Sequence, residues 1–174
     1  MNIIQKPSTD YIKQSTKKNL IVLHYTAGGT LSGAEAALAI KDYVNVHYCI
    51  DRDGQVYQYF DEKYWAYHTG TGNADAMRSI GIEIVNWGHL TRIGDALFTW
   101  TDKKIPWDQV LHLKPFRGFQ YWQKLTSEQE RAVTELVSEI AHRWKLIKVC
   151  THAMLKQTKL DYPPDYPVIK ELIC

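Results

Sequence analysis

Leu20-Ile21-Val22-Leu23-His24-Tyr25, running into Thr26-Ala27-Gly28-Gly29, is the stretch on which the fold turns. A continuous apolar run that ends at a glycine pair reads as a buried strand opening into a loop. His24 therefore sits at a strand end, where loops border clefts. Just downstream, Ser32-Gly33-Ala34-Glu35 has the Ser-x-x-Glu spacing of a capping box and leads an alanine-rich stretch, which predicts a helix from Ser32 to about Val44.

Further out, Asn45 to Phe60 alternates through Val46-His47-Tyr48-Cys49-Ile50, meets Asp53-Gly54, and alternates again, the pattern of a hairpin. Val46, Tyr48 and Ile50 are expected on one face, with His47 and Cys49 on the other. Period-2 alternation returns in Ser79-Ile80-Gly81-Ile82-Glu83-Ile84-Val85, which sets three isoleucines on one face and Gly81 and Glu83 opposite. A lone carboxylate in such a strand needs a chemical reason. Between Thr126 and Lys145 the apolar residues Val133, Leu136, Val137, Ile140, Ala141 and Trp144 follow helical spacing, with Ser127 and Glu130 read as its capping box. A short strand from Leu146 to Thr151 follows, and His152 stands just beyond it.

Residues 87 to 122 differ in texture. Four of the six tryptophans, Trp87, Trp100, Trp107 and Trp122, lie here among Gly, Pro and charged residues without regular periodicity. The segment, about 87–124, reads as a long ordered insertion. Its aromatics could stack on sugar rings, with Trp87 the member assigned to substrate. For most of them a satellite hydrophobic cluster that pins the loop is the better reading.

Strands alternating with helices imply an α/β fold, a mixed central sheet flanked by helices, in which sites form beyond the strand ends. No repeat or linker divides the 174 residues, so a single domain is expected over 1–174. His24 and His152 both occupy strand ends. Two histidines and a carboxylate would make a three-ligand metal site with an open fourth position. On this evidence alone, either histidine could equally be a buried residue satisfied by hydrogen bonds.

Composition narrows the partners. The formal net charge is +2, and the lysine pairs 17–18 and 103–104 stand apart from other basic residues, so no nucleic-acid footprint is visible. No apolar run reaches the roughly 20 residues of a membrane span, and the first 18 residues lack a signal-peptide core, so synthesis in the cytoplasm without a signal peptide is expected. Three cysteines, Cys49, Cys150 and Cys174, argue against a disulfide framework.

The segment from His152 through Lys159-Leu160-Asp161-Tyr162-Pro163-Pro164-Asp165-Tyr166 resembles the closing motif of the N-acetylmuramoyl-L-alanine amidases of the peptidoglycan-recognition-protein-like type, a His followed by Lys-x-Asp-Pro-Gly-Pro-x-Phe. Further similarities follow in family order: the strand-end His24, the hairpin, Ala66-Tyr67-His68-Thr69-Gly70 and the Glu83 strand. The resemblance spans about residues 20 to 170. It implies that His24, His152 and Asp161 bind one zinc ion, that Glu83 takes a proton from the attacking water, and that Lys159 supports the oxyanion. Lysine at such a position is by default solvated, and only its spacing from Asp161 argues otherwise. Val46 stands where another branch of the family carries a catalytic tyrosine, so the resemblance is to the glutamate branch.

By the same resemblance His68 lines the substrate groove and His47 stands on the hairpin near the metal, with Tyr25 also assigned to substrate. For His47 and His68, substrate contact, support of the metal ligands and a plain structural hydrogen bond are comparable readings. His89, His112 and His142 match nothing in the family.

Two features depart from the pattern. Tyr162-Pro163 replaces Pro-Gly after Asp161, so the turn is built without a glycine. Cys150 would share a face with His152 and could bind zinc in place of Asp161, but family members with a cysteine ligand carry it at the Asp161 position, so Cys150 is assigned to the core.

The resemblance implies hydrolysis of the amide between the muramic acid lactyl group and L-alanine, in peptidoglycan or a muropeptide, by a monomer. A phage lysin, an effector opposed by an immunity protein in its producer, and a recycling enzyme all fit. It would act in the cytoplasm if recycling, or in the periplasm and wall if exported or released by lysis. The alternative is a peptidoglycan-binding module of the same fold without catalysis, against which the presence of Asp161, Glu83 and Lys159 argues.

Overall fold

The computed structural model describes residues 1–145 and 148–173. Leu146 and Ile147, read as opening a strand, and Cys174 lie outside the described residues. In chain order the elements are β1 (Ile3–Gln5), β2 (Leu20–Tyr25), α1 (Leu31–Leu38), β3 (Tyr48–Ile50), β4 (Val56–Gln58), α2 (Asn73–Arg78) and β5 (Ser79–Ile84). They continue with β6 (His89–Ile93), β7 (Ala96–Phe98), β8 (Lys104–Ile105), a 3-10 turn (Trp107–Gln109), β9 (Val110–Phe116) and β10 (Phe119–Gln123). The chain closes with α3 (Ser127–Trp144), β11 (Lys148–Thr151), α4 (His152–Leu155) and α5 (Pro167–Leu172).

A six-stranded sheet in the order β1-β4-β3-β5-β2-β11 forms the body, parallel except for the β3–β4 hairpin. The expected mixed sheet is present, with β3 and β5 at its centre and β2 beside β5. Both faces are covered. Ile21, Leu23, Ile80, Ile82 and Ile84 pack with Val133, Leu136, Val137 and Ile140 of α3, and each such fully buried side chain contributes about 1.5–3 kcal/mol. On the opposite face, Val22 and Cys150 pack on Leu155, and a second cluster around Cys49, Phe60 and Ala66 receives Leu31 and Leu38 of α1.

Helix starts and one strand end differ from expectation. The box of α3 is Thr126 with Gln129, one residue earlier than the Ser127–Glu130 frame. Thr126 has extended dihedrals, accepts from the Gln129 amide at 3.0 Å, and its own amide donates to Gln129 Oε1. Buried Gln129 also donates to Val85 O and accepts from Arg52, so it locks helix to sheet.

Helix α1 is capped by Thr30 and stops at Leu38, well short of Val44. Glu35 is turned away from capping toward Lys6 Nζ at 2.6 Å and the Tyr59 hydroxyl at 3.0 Å. Only Ala34 of α1 is buried, too little tertiary support to extend a short helix. Strand β3 begins at Tyr48, so Val46 leaves the Tyr48–Ile50 face and packs with Cys49, Tyr59 and Phe60.

The aromatic-rich segment is ordered, but as a second, five-stranded antiparallel sheet, β8-β7-β6-β10-β9. It has a core of its own in Leu90, Leu97, Ile105, Val110 and Tyr121, with Trp87 against it. Its periodicity is masked by short strands and by Pro115, tolerated because β9 is an edge strand. Trp122 is fully buried in the main core, whereas Trp100 and Trp107 stay exposed.

Candidate metal centre

Strand register assembles the site. Parallel pairing sets Thr151 beside Leu23, His24 beside Glu83, and Glu83 beside Cys49. His152, one residue past β11, therefore falls level with His24, and His152, His24 and Glu83 form a row across adjacent strands on the face away from α3. Asp161 returns to this row through the loop after α4.

His24 Nδ1 lies 2.9 Å from His152 Nδ1, and His152 Nδ1 lies 2.9 Å from an Asp161 carboxylate oxygen. One donor atom from each residue falls within 4.8 Å of the others. All three residues are buried.

Hydrogen bonds fix where the protons are. His152 Nε2 points at the Thr69 carbonyl, 2.7 Å away, so it carries the hydrogen and leaves Nδ1 as a lone pair. For His24 the assignment passes through two further residues. The Ser79 hydroxyl donates to the Asp75 carbonyl of α2 at 2.5 Å and so accepts from His68 Nε2 at 2.9 Å. His68 Nδ1 is then an acceptor, and His24 Nε2 donates to it at 3.0 Å. His24 Nδ1 is left bare.

With both rings in the neutral form that a ligand needs, two imidazole lone pairs and a carboxylate converge on one point. Among the described residues, the buried side-chain oxygens without a hydrogen-bond partner are Glu83 Oε2, Asp161 Oδ2 and the Tyr162 hydroxyl, all from this neighbourhood. Such a donor set is mutually repulsive unless a cation occupies its centre, and two nitrogens with one carboxylate suit zinc. Burial, then His152, His68 and Lys159, holds the His24 pKa well below that of free histidine, so the ring stays neutral as a ligand must. Burial also holds His68 down, to about 3.

Glu83 is half-buried and its pKa is pushed up to about 8, first by desolvation and then by Asp161, with Lys159 opposing. Lys159 itself is exposed. Gly81 precedes Glu83 on the same face, where a Cβ would come within 2.9 Å of His68 Nδ1, so glycine makes the room for the His68 ring.

The other candidates are placed differently. His47 is fully buried, accepts from the Gly81 amide at 3.1 Å and donates to Tyr64 O at 3.0 Å, so both ring nitrogens are engaged inside the fold. Tyr25 is buried, with its hydroxyl 3.1 Å from His89 Nδ1. Trp87 packs between the second sheet and Gly29, where a Cβ would meet the indole at 2.8 Å. Cys150 lies in the core with Leu20 and Val22.

The turn after Asp161 is solved by Tyr162 itself. It adopts φ +44°, a left-handed conformation unusual for a non-glycine residue, and is fully buried with its ring edge-on to Tyr25 and Tyr166. The hydrophobic contact holds this left-handed backbone in a turn built without glycine.

Ser79 and Thr69 were not anticipated. Ser79 shares the period-2 face of Gly81 and Glu83, which was the available signal. Replacing it with Ala removes the acceptor that orients His68 and, through it, His24. We expect Ser79→Ala to weaken zinc binding by about tenfold in chelator competition with the fold intact. Wild-type affinity in that variant would mean that the His24 tautomer is set by something else.

The model of the N-acetylmuramoyl-L-alanine amidase family matches residues 14–164. No curated protein sequence matches the chain significantly. Among solved structures, the amidase LysC from Clostridium intestinale URNW superposes with a TM-score of 0.64 at 14% identity, covering 99% of this chain and 95% of its own. AmpD, as its selenomethionine derivative, gives 0.65 at 18% identity, covering 99% and 94%. AmiD from E. coli, solved with the substrate anhydro-N-acetylmuramic acid-L-Ala-D-gamma-Glu-L-Lys, gives 0.62 at 24% identity, covering 93% of this chain and 58% of AmiD. At these identities the structures speak to fold; the family model, which spans most of the sequence, shows that the chain belongs to the N-acetylmuramoyl-L-alanine amidases.

Proposed function

We propose that this amidase is a one-zinc enzyme in which His24, His152 and Asp161 hold the metal, Glu83 is the general base and Lys159 supports the oxyanion. The observation that carries the reading is the convergence of three buried lone pairs in register with Glu83. When bound, zinc supplies Lewis acidity, lowering the pKa of water and polarising a carbonyl oxygen.

The remaining chemistry falls to the chain. Glu83 has a shielded oxygen free of partners, suited to take the proton of the attacking water and return it to the leaving amine of L-alanine. Lys159 is near enough for its charge to act on both His24 and Glu83, and a fixed cation there stabilises negative charge developing on the lactyl oxygen. His68 and Ser79 keep the His24 lone pair aimed at the metal. His47 and Tyr25 shape the buried walls around the ligands, and the face of Trp87 closes the β2–α1 loop.

Digestion of purified peptidoglycan should release stem peptides whose N-terminal residue is L-alanine. A chelator should stop the release and added zinc restore it. Cleaved glycan strands or cross-links, or digestion indifferent to chelation, would overturn the reading. A soluble anhydro-muropeptide tested in parallel separates a preference for fragments from one for intact wall.

A further inference from the structure

The turn joining β9 and β10 reaches across to the segment that carries Lys159 and Asp161. We propose that Arg117, at its tip, is a positioning residue that sets segment 156–161, and through it Asp161 and Lys159, for metal binding and turnover. The proposal rests on the metal-centre reading above.

The Arg117 guanidinium donates to three backbone carbonyls on the facing segment. Nη2 bonds Ala153 O at 2.8 Å, while Nη1 bonds Lys156 O at 3.3 Å and also Lys159 O. The acceptors are spaced three residues apart, so one planar fork gathers the end of α4 and the loop beyond it. The last carbonyls of a helix lack intrahelical donors, and a rigid five-donor cation suits them.

Other restraints on this segment are sparse. Its amides bond locally, Lys156 N to His152 O and Lys159 N to Lys156 O, and Lys156 Nζ reaches Gly70 O. Asp161 is then fixed from its far side by buried Tyr162. Arg117 supplies the near side, two residues before the ligand. The guanidinium itself lies over the Phe116 ring, 4.8 Å from the centroid, and Phe116 packs on the main core.

Arg117 holds this place against its backbone preference. Phe116 pairs directly with Phe119, and Arg117 and Gly118 between them have φ of +50° and +88°. That is a two-residue hairpin turn with both central residues left-handed, where Asn-Gly is favoured and arginine is not. A side chain chosen for the turn alone would be asparagine.

This conflict supplies a clean test. Arg117→Asn improves the turn and removes the fork. We expect an unchanged or higher Tm, zinc affinity weakened by about tenfold in chelator competition, and kcat reduced by about tenfold or more with little change in KM. Arg117→Lys, which keeps the charge without the planar fork, should fall between. A fall in Tm of Arg117→Asn with zinc affinity and kcat retained would make the residue merely structural and overturn the proposal, as would wild-type values throughout. If the wild-type protein proves inactive on peptidoglycan yet Arg117→Asn still loses zinc affinity, the proposed function fails and the positioning role stands.

Discussion

Glu83→Gln is expected to lower turnover on peptidoglycan by about 10²- to 10⁴-fold, the range that a general base contributes, while each chain still binds one zinc ion. The amide keeps the size and the hydrogen-bonding reach of the carboxyl but cannot accept the proton of the attacking water. Glu83 is outside the His24, His152 and Asp161 donor set, so metal content and affinity should be preserved. Wild-type rates in this variant would remove Glu83 from the mechanism.

The same residue predicts how pH acts on the metal-free protein. Glu83 holds its proton more tightly folded than unfolded, with a pKa of about 8 against an ordinary 4.5. Between those values the folded state binds more protons than the unfolded chain, so stability falls as pH rises through the window, by about 1.4 kcal/mol for each pH unit at most. In Glu83→Gln this dependence should flatten, and the metal-free variant should melt above wild type near pH 8. Bound zinc favours the carboxylate, so the rising limb of the activity profile should lie below pH 8.

His24, Glu83 and His152 were legible because they lie in or beside regular elements, whereas Asp161, in the loop after α4, was reached only through the resemblance of its motif. Periodicity in 79–85 separates three isoleucines from Gly81 and Glu83, and the two strand-end histidines need only parallel register to meet. Residues that act through side chain to backbone contacts over long separations left no such trace. Thr69 serves His152 from 83 positions away, and Arg117 sits 36 to 42 positions from its acceptors. The second sheet was hidden for another reason: strands of two to seven residues give too few alternations to read. Cap positions shifted by one or two residues because Thr30 and Thr126 compete with neighbouring serines, and only backbone dihedrals decide between them. At the turn after Asp161, sequence shows that the glycine is missing but not that a buried Tyr162 takes the left-handed conformation beside it.

Asp161→Ala is the second large effect, and its two halves have opposite signs. Zinc present at a thousandfold over its Kd stabilises the protein that binds it by about 4 kcal/mol, which in a domain of this size raises Tm by roughly 8–16 °C. Without the carboxylate the site retains two nitrogen ligands, and this zinc-dependent rise, along with turnover, should disappear at the same zinc concentration. The metal-free variant should nevertheless melt no lower than metal-free wild type. Asp161 Oδ2 is buried without a hydrogen bond, faces the bare nitrogen of His152, and helps to drive the Glu83 pKa upward. Removing it relieves repulsion that a bound cation would offset, at the loss of a small buried side chain. A carboxylate with a purely structural role would behave otherwise: its loss would lower the metal-free Tm and leave the rise on adding zinc intact. Melting curves of wild type and variant, each with zinc and with chelator, separate the two cases without any measurement of activity.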